Sequence, residues 1–175
     1  MDYHDTEWGT PEHDDAKLFE KLILDGAQAG LSWITILRKR EGYRRAFDYF
    51  DAEKIARYGK RDFNRLMKDE GIVRNTLKIN SAIGNAQAYL DMKEGGKSFN
   101  EFIWQFTDGK TKQNRWASTK EIPASTKESE ALSNALKQNG FKFVGPTIIY
   151  AFMQAIGMVN DHTLDCFRHR ECAGH

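Results

Sequence analysis

Cysteine is scarce in this 175-residue chain: Cys166 and Cys172 are the only two. Two thiols so close together make a poor disulfide framework and fit a cytoplasmic chain with reduced thiols. Proline occurs only at Pro11, Pro123 and Pro146, so no proline-rich linker divides the chain. No apolar run is long enough for a transmembrane helix, and no signal-peptide pattern opens the sequence, so no membrane partner is expected. An excess of one charge is missing too: 26 basic side chains face 25 acidic ones, a formal net charge of +1. That excludes a strongly basic tail. It leaves room for a local DNA-binding face, because partners feel patches rather than totals. Alternating β-branched residues are rare, and no internal repeat or low-complexity tract is present.

What remains is a helical period, which recurs along the whole chain. It predicts an all-α single domain of many short helices, and the length suits one domain with a real core. A first helix should start after Asp14 and carry Leu18, Leu22, Asp25 and Ala29 on one stripe. Gly30 can end it, and Ser32 can cap a second helix holding Trp33, Ile36 and Leu37. Short helices are expected at 52–58 and 62–69, and a longer one at about 76–93. Ser98–Glu101 and Ser125–Glu128 read as capping boxes. Residues 108–123 read as a polar loop.

Two stretches raise chemical questions. The first is LILDGAQAGLSWITIL, where Asp25 lies among leucines and isoleucine. Two readings fit: a carboxylate near a helix end that reaches solvent, or one facing the core or a cleft. The second demands a hydrogen-bonding or cationic ligand, because a buried carboxylate is costly alone. Aromatics make up 12% of the chain, and Tyr3, Trp8 and Trp33 could wall such a cleft or simply fill the core.

The second stretch is ALKQNGFKFVGPTIIYAFMQAIG. One helix should end at Asn139-Gly140, and Gly145-Pro146 should open another, since proline suits the first helical turn. Two helices joined this way form either a plain packing hairpin or a helix-hairpin-helix. In the latter, turn N–H groups and the second helix N-terminus hold a DNA phosphate, with Lys142 adding charge.

A third cluster closes the chain: His162, Cys166, His169, Cys172 and His175. His162 and Cys166, four residues apart, suit half of a zinc site.

The strings YHDTEWGTPEHDDAKLFEKLILDGAQAGLSWITILRKREGYRRAF, GIVRNTLKI and GFKFVGPTIIYAFMQAIGMVNDH, in this order, resemble the bacterial DNA-3-methyladenine glycosylase I family. The resemblance runs from Tyr3 to about Cys166. It implies a single-domain helix-hairpin-helix glycosylase fold, with the hairpin at about 126–156. The implied partner is damaged double-stranded DNA, and the products are free 3-methyladenine and an abasic site. The family's base-contacting glutamate falls on Asp25, one methylene shorter. Its pocket aromatics fall on Tyr3, Trp8 and Trp33. Its DNA-penetrating corner falls on Gly30 and Leu31, and its phosphate-binding hairpin on Gly140, Lys142 and Gly145. Its zinc ligands fall on His4, His162 and Cys166. A further zinc cysteine and a pocket tryptophan of the family have no counterpart in this sequence, and Cys172 is the expected substitute ligand. The resemblance implies a monofunctional enzyme acting as a monomer, since no lysine sits where a Schiff base would form beside the hairpin. Two other readings remain at this level: a non-catalytic helix-hairpin-helix DNA-binding module, or a glycosylase whose lesion preference is shifted by the shorter acid. A module that only binds DNA needs neither Asp25 nor aromatic walls.

Overall fold

The computed structural model describes residues 2–174. Helices dominate it: α1 (Asp2–Thr6), α2 (Asp15–Gln28), α3 (Trp33–Ala46), α4 (Ala52–Ala56), α5 (Lys60–Leu66), α6 (Thr76–Glu94), α7 (Phe99–Trp104), α8 (Lys127–Gln138), α9 (Pro146–Ala155) and α10 (Phe167–Cys172). No helix among the described residues is long and apolar enough to cross a membrane.

Local chemistry sets many of the helix starts. The Asp14 side chain accepts from the Lys17 N–H at 2.9 Å and starts α2 where the sequence predicts. Asn75 does the same for Lys78 at 3.0 Å, and Ser98 for Glu101 at 3.4 Å. Each such cap stabilises its helix by about 1 kcal/mol. Ser32 stands at the N-cap of α3, but its hydroxyl meets Thr35 Oγ1 at 2.8 Å and caps no backbone N–H. The box expected at Ser125–Glu128 forms one residue later. Thr126 accepts from the Ser129 N–H, and the Ser129 hydroxyl accepts from the Thr126 N–H. Serine can close this box as glutamate would, because its hydroxyl already lies beside the N-cap amide.

Helix α2 lies at the centre. It packs on α3, α6, α7 and α9, and buries Leu18, Phe19, Leu22 and Leu24. Around it the core gathers Ile36, Phe47, Ile79, Leu136, Ile149 and Phe152. Helices α8 and α9 pack on each other, joined by the turn at 139–145.

The polar segment 108–123 is not all loop. Lys112–Gln113 (β1) pairs in parallel with Val159–Asn160 (β2). Nothing in the period of the sequence announces two strands of two residues each. Their pairing holds the segment against the chain that follows α9, beside Asp161. That carboxylate is 2% exposed and accepts four hydrogen bonds. Asn114 Nδ2 and Trp116 Nε1 donate to Oδ1 at 2.7 and 2.8 Å, while Gln154 Nε2 at 3.0 Å and the Tyr150 hydroxyl donate to Oδ2. Asp161 is therefore a structural acceptor joining α9, the polar segment and the C-terminal region.

Asp161→Ala should leave all four donors without their acceptor. At about 1–3 kcal/mol for each buried group left unpaired, and with water rescuing some, the loss should exceed about 3 kcal/mol. Denaturant unfolding measures it. A change below about 1 kcal/mol would show that the hub does not hold the fold together.

Candidate active site and candidate metal centre

The carboxylate of Asp25 is buried rather than turned out to solvent. It is 4% exposed, and among the described residues its Oδ2 has no hydrogen-bond partner. The stripe explains this, since Leu18, Leu22 and Asp25 follow one another on the core-facing side of α2. Burial pushes its pKa up to about 7, and the positive charge of Lys21 works against that rise.

Two rings lie near this acid. Tyr3 comes from α1 and Trp33 opens α3, with centroids 5.3 Å apart and planes tilted by 40°. The Trp33 Nε1 is buried and also lacks a partner. A flat base sandwiched between two rings needs two contacts of about 3.5 Å, hence about 7 Å between walls. The walls are therefore closer than a sandwich requires. The ammonium of Lys21 lies beside the pair, not between the two rings. It lies 4.2 Å from the Tyr3 centroid and 4.9 Å from that of Trp33, and it donates to the Tyr3 hydroxyl. Burial, followed by the charge of Asp25, holds the Tyr3 phenol well above its ordinary pKa. Trp8 does not join these two rings. It stacks on His4 at 6.1 Å and meets His162 edge-on at 4.7 Å, on the side of the metal-type cluster.

Past α2 the chain makes an exposed corner. Gly30 takes a left-handed conformation (φ +79°), and Leu31 is 39% exposed at its tip. The corner is braced from α6: Lys78 Nζ donates to the carbonyls of Ala27 at 2.8 Å and Ala29 at 2.5 Å. Those carbonyls belong to the helix C-terminus, where a cation is favoured.

Two turns further along α6, Asn85 braces the hairpin. Its Oδ1 accepts from the Lys142 N–H at 2.8 Å, and its Nδ2 donates to the Lys142 carbonyl at 3.0 Å. The amide of Lys142 is therefore engaged inside the protein and is not free for a phosphate. The N–H groups of Gly145 and Thr147, at the start of α9, have no acceptor among the described residues. The Lys142 side chain and Gly140 are exposed. Gly26 lets the hairpin approach α2, since a Cβ there would already touch Phe143 at 3.4 Å. The residue after Asp25 is thus packed directly on the hairpin turn.

His4, His162 and Cys166 converge. The Cys166 Sγ lies 3.7 Å from His162 Nδ1 and 3.8 Å from His4 Nε2, and all three donor atoms lie within 4.8 Å of one another. A tetrahedral zinc, with bonds of about 2.3 Å to sulfur and 2.0–2.1 Å to nitrogen, separates such donors by about 3.6 Å. The outer ring atoms are occupied as metal-binding histidines require. His4 Nδ1 meets Asp5 Oδ1 at 2.9 Å, and His162 Nε2 meets the Trp8 carbonyl at 3.2 Å. Burial, then the neighbouring His4, lowers His162 to about pKa 4, which leaves its imidazole neutral. At Gly9 (φ +81°), a Cβ would fall 2.7 Å from His162 Nε2, so glycine lets the chain pass over the ring. Cys172 stands outside this group. It is 2% exposed within the fold, and burial raises its thiol pKa. His169 is also engaged elsewhere, with its Nε2 2.9 Å from the Asn114 carbonyl. His175 lies outside the described residues.

Three residues of this site were not singled out from the sequence: Lys21, Lys78 and Asn85. Lys21 had a readable signal, since it stands one helical turn before Asp25. The other two act across the fold and leave no local trace.

The raised pKa of Asp25 has a consequence for stability. The folded chain keeps this proton more tightly than the unfolded one, so stability falls as pH rises from about 4 to about 7 and is level above. A rise from 3.8 to about 7 corresponds to about 4 kcal/mol. Asp25→Asn lacks this loss. The variant should gain on the wild type by that amount between pH 4 and pH 8 in denaturant titrations. A difference that stays constant with pH would show that the carboxylate is not desolvated.

Comparison with known proteins supplies the context. Residues 1–169 match the methyladenine glycosylase family. The DNA-3-methyladenine glycosylase 1 of Escherichia coli (strain K12) is 53% identical over 164 residues, covering 94% of this chain and 88% of that protein. The DNA-3-methyladenine glycosylase of Haemophilus influenzae is 49% identical over 166 residues, covering 95% and 90%. A crystal structure of a variant 3-methyladenine DNA glycosylase I in complex with 3-methyladenine superposes with a TM-score of 0.92 at 37% identity, covering 95% of this chain and 89% of that one. A match of this extent and identity places the chain in the methyladenine glycosylase family.

Proposed function

We propose that this chain excises 3-methyladenine from DNA by hydrolysing the N-glycosidic bond, leaving an abasic site. One observation carries the reading at the level of residues. Asp25 is a buried carboxylate with an unpartnered oxygen, near the Tyr3 ring and the Lys21 ammonium. A methylated adenine nucleotide brings a positive ring and N–H donors, which is what such a carboxylate lacks.

The lesion base must leave the stack to reach this site. The Gly30-Leu31 corner is shaped to fill the gap, with Leu31 as an exposed apolar tip braced by Lys78. Lys142 and the amides of Gly145 and Thr147 would grip the backbone, and Gly140 lets the turn lie close to it. The flipped base stacks on Tyr3 and Trp33 as a cation. Asp25 accepts its N–H groups and offers it a negative charge. The bond from the sugar carbon to the base nitrogen then breaks, and its electron pair goes to the base, which leaves neutral. The sugar becomes an oxocarbenium-like cation. Water adds to it and loses a proton. Because the base departs without needing a proton, the protein's task is to flip, select and stabilise charge rather than to supply a strong acid. A DNA-binding module without chemistry would have no use for an unsatisfied acid in its core.

Asp25→Asn should lower excision of 3-methyladenine from methylated duplex DNA by about tenfold or more, the worth of one charge-assisted hydrogen bond of about 1.5–3 kcal/mol. Asp25→Glu should stay active. In the wild type kcat/KM should fall as pH drops through about 7, where the free carboxylate takes a proton, and the Asn variant should lack this limb. Separation of released bases by chromatography reads all three. Wild-type release by Asp25→Asn would remove the acid from the mechanism.

We propose in addition that His4, His162 and Cys166 hold one structural zinc, which ties α1 to the segment after β2. With three protein donors, the fourth position falls to water or a small ligand. Protein purified without a histidine tag should contain about one zinc per chain by elemental analysis, less in Cys166→Ser, and chelation should lower its Tm. Metal-free protein with unchanged Tm would exclude the site.

A further inference from the structure

One large apolar side chain near the corner has no part in the reading above. Leu77 is 68% exposed in the first turn of α6, against 39% for Leu31. The next residue, Lys78, holds the carbonyls of Ala27 and Ala29, so Leu77 stands beside the same corner.

The helix period fixes the way Leu77 faces. Residues 77, 81 and 88 fall within about 40° of one another around α6. Ser81 borders a small cavity together with Phe143 of the hairpin turn, and a Cβ at Gly140 would meet that of Ala88 at 3.8 Å. The face of α6 that carries Leu77 is therefore the face on which the hairpin lies. The approach to Leu77 is held as well. The Glu70 carbonyl accepts from Lys39 Nζ at 2.9 Å, and the Val73 N–H donates to the Tyr43 hydroxyl at 3.2 Å. A Cβ at Gly42 would fall 2.3 Å from the Gly71 carbonyl oxygen, so this segment lies directly on α3. Arg74, just ahead of Leu77, is exposed and stands in no ion pair among the described residues, unlike Arg40 and Arg44.

An apolar tip and an unpaired cation on a braced edge suit DNA, where the tip meets bases and the guanidinium a phosphate. In the reading above, Leu31 fills the place of the extruded base, and the hairpin holds the strand that carried it. The apolar surface that flipping then uncovers is the base opposite, which has lost its partner.

We propose that Leu77 is a second wedge, packed against the unpaired base of the complementary strand, and that Arg74 holds the backbone of that strand. This rests on the glycosylase reading. Leu31 occupies the gap from the side of the lesion strand, and Leu77 keeps the opposite base from closing into it. The contact is apolar and asks no hydrogen-bonding edge of that base.

The test uses the intact protein and two short duplexes. Both carry a stable abasic-site analogue in place of the lesion. The second carries another directly opposite, so that no base faces the first. Leu77→Ala should bind the first duplex at least about fivefold more weakly than the wild type, the worth of a partly buried leucine side chain. On the second duplex it should bind as the wild type does. Arg74→Ala should lose affinity for both duplexes and flatten the slope of log affinity against log salt by about 1. Both side chains are exposed, so neither variant should lose its fold. Undiminished binding of the first duplex by Leu77→Ala, or an equal loss on both duplexes, would overturn the wedge. An unchanged salt slope in Arg74→Ala would overturn the backbone contact. A wild type that binds an abasic duplex no better than an intact one would instead overturn the glycosylase reading.

Discussion

A carboxylate stripped of water sits on the central helix of this fold, and the packing around it must offset its cost. An acid buried with one oxygen unpartnered destabilises the folded state at neutral pH. Helix α2 can carry it because Leu18, Phe19, Leu22 and Leu24 are buried on the same helix, against four others. Fully burying one such side chain contributes about 1.5–3 kcal/mol. Several of them hold α2 in place while Asp25 stays unsatisfied. In the proposed reading, a ligand that brings N–H donors and positive charge meets an acceptor that no protein group has to leave. Among the described residues the Lys21 ammonium is the charge that acts on it, and that ammonium donates to the Tyr3 hydroxyl rather than to the acid.

Helix α6 converts this buried arrangement into a surface. Lys78 and Asn85 leave the same helix seven residues apart, a spacing of about 10 Å along its axis at 1.5 Å per residue. The first holds the end of α2 and with it the Leu31 corner; the second holds both backbone groups of Lys142 in the hairpin. The two elements proposed to meet DNA are therefore fixed to one rigid strut. Gly26 adds a direct contact between α2 and the hairpin, next to the acid itself. A backbone gripped by the hairpin is thereby placed at a set distance from the corner and from the pocket. The same clamp alters how the hairpin works. In the proposed reading its grip would come from the Lys142 side chain and the first amides of α9, because the Lys142 amide already has a partner.

Much of this was legible in the sequence, for local reasons. Asp14 before an apolar stripe, Gly30 after it and Pro146 behind Gly145 mark helix ends through their own backbone preferences, and the structure puts the ends there. The stripe of Leu18, Leu22 and Asp25 raised the question of a buried acid, which only packing could decide. Other features depend on distant parts of the chain. The pairing of Lys112–Gln113 with Val159–Asn160 is too short to show a period. Trp8 was grouped with Tyr3 and Trp33 as an aromatic wall, but the turn after α1 carries its ring to His4 and His162. Cys172 was a candidate ligand because it is the only other thiol. Helix α10 buries it away from the three converging donors.

The clearest physical separation in the molecule is between its two buried aspartates. Asp161 and Asp25 are 2% and 4% exposed, so burial alone does not distinguish them. Their partners do. Asp161 takes four hydrogen bonds and ties three parts of the chain together, leaving no capacity for a ligand. Asp25 retains an oxygen with no partner among the described residues, as does the Trp33 Nε1 donor. A folded protein rarely leaves two such groups buried and unpaired, because each costs about 1–3 kcal/mol unless something arrives to meet it. The acid saturated by its own chain holds the fold. The acid left unsaturated, near Tyr3 and Lys21, is the one that the proposed reading assigns to the charged base.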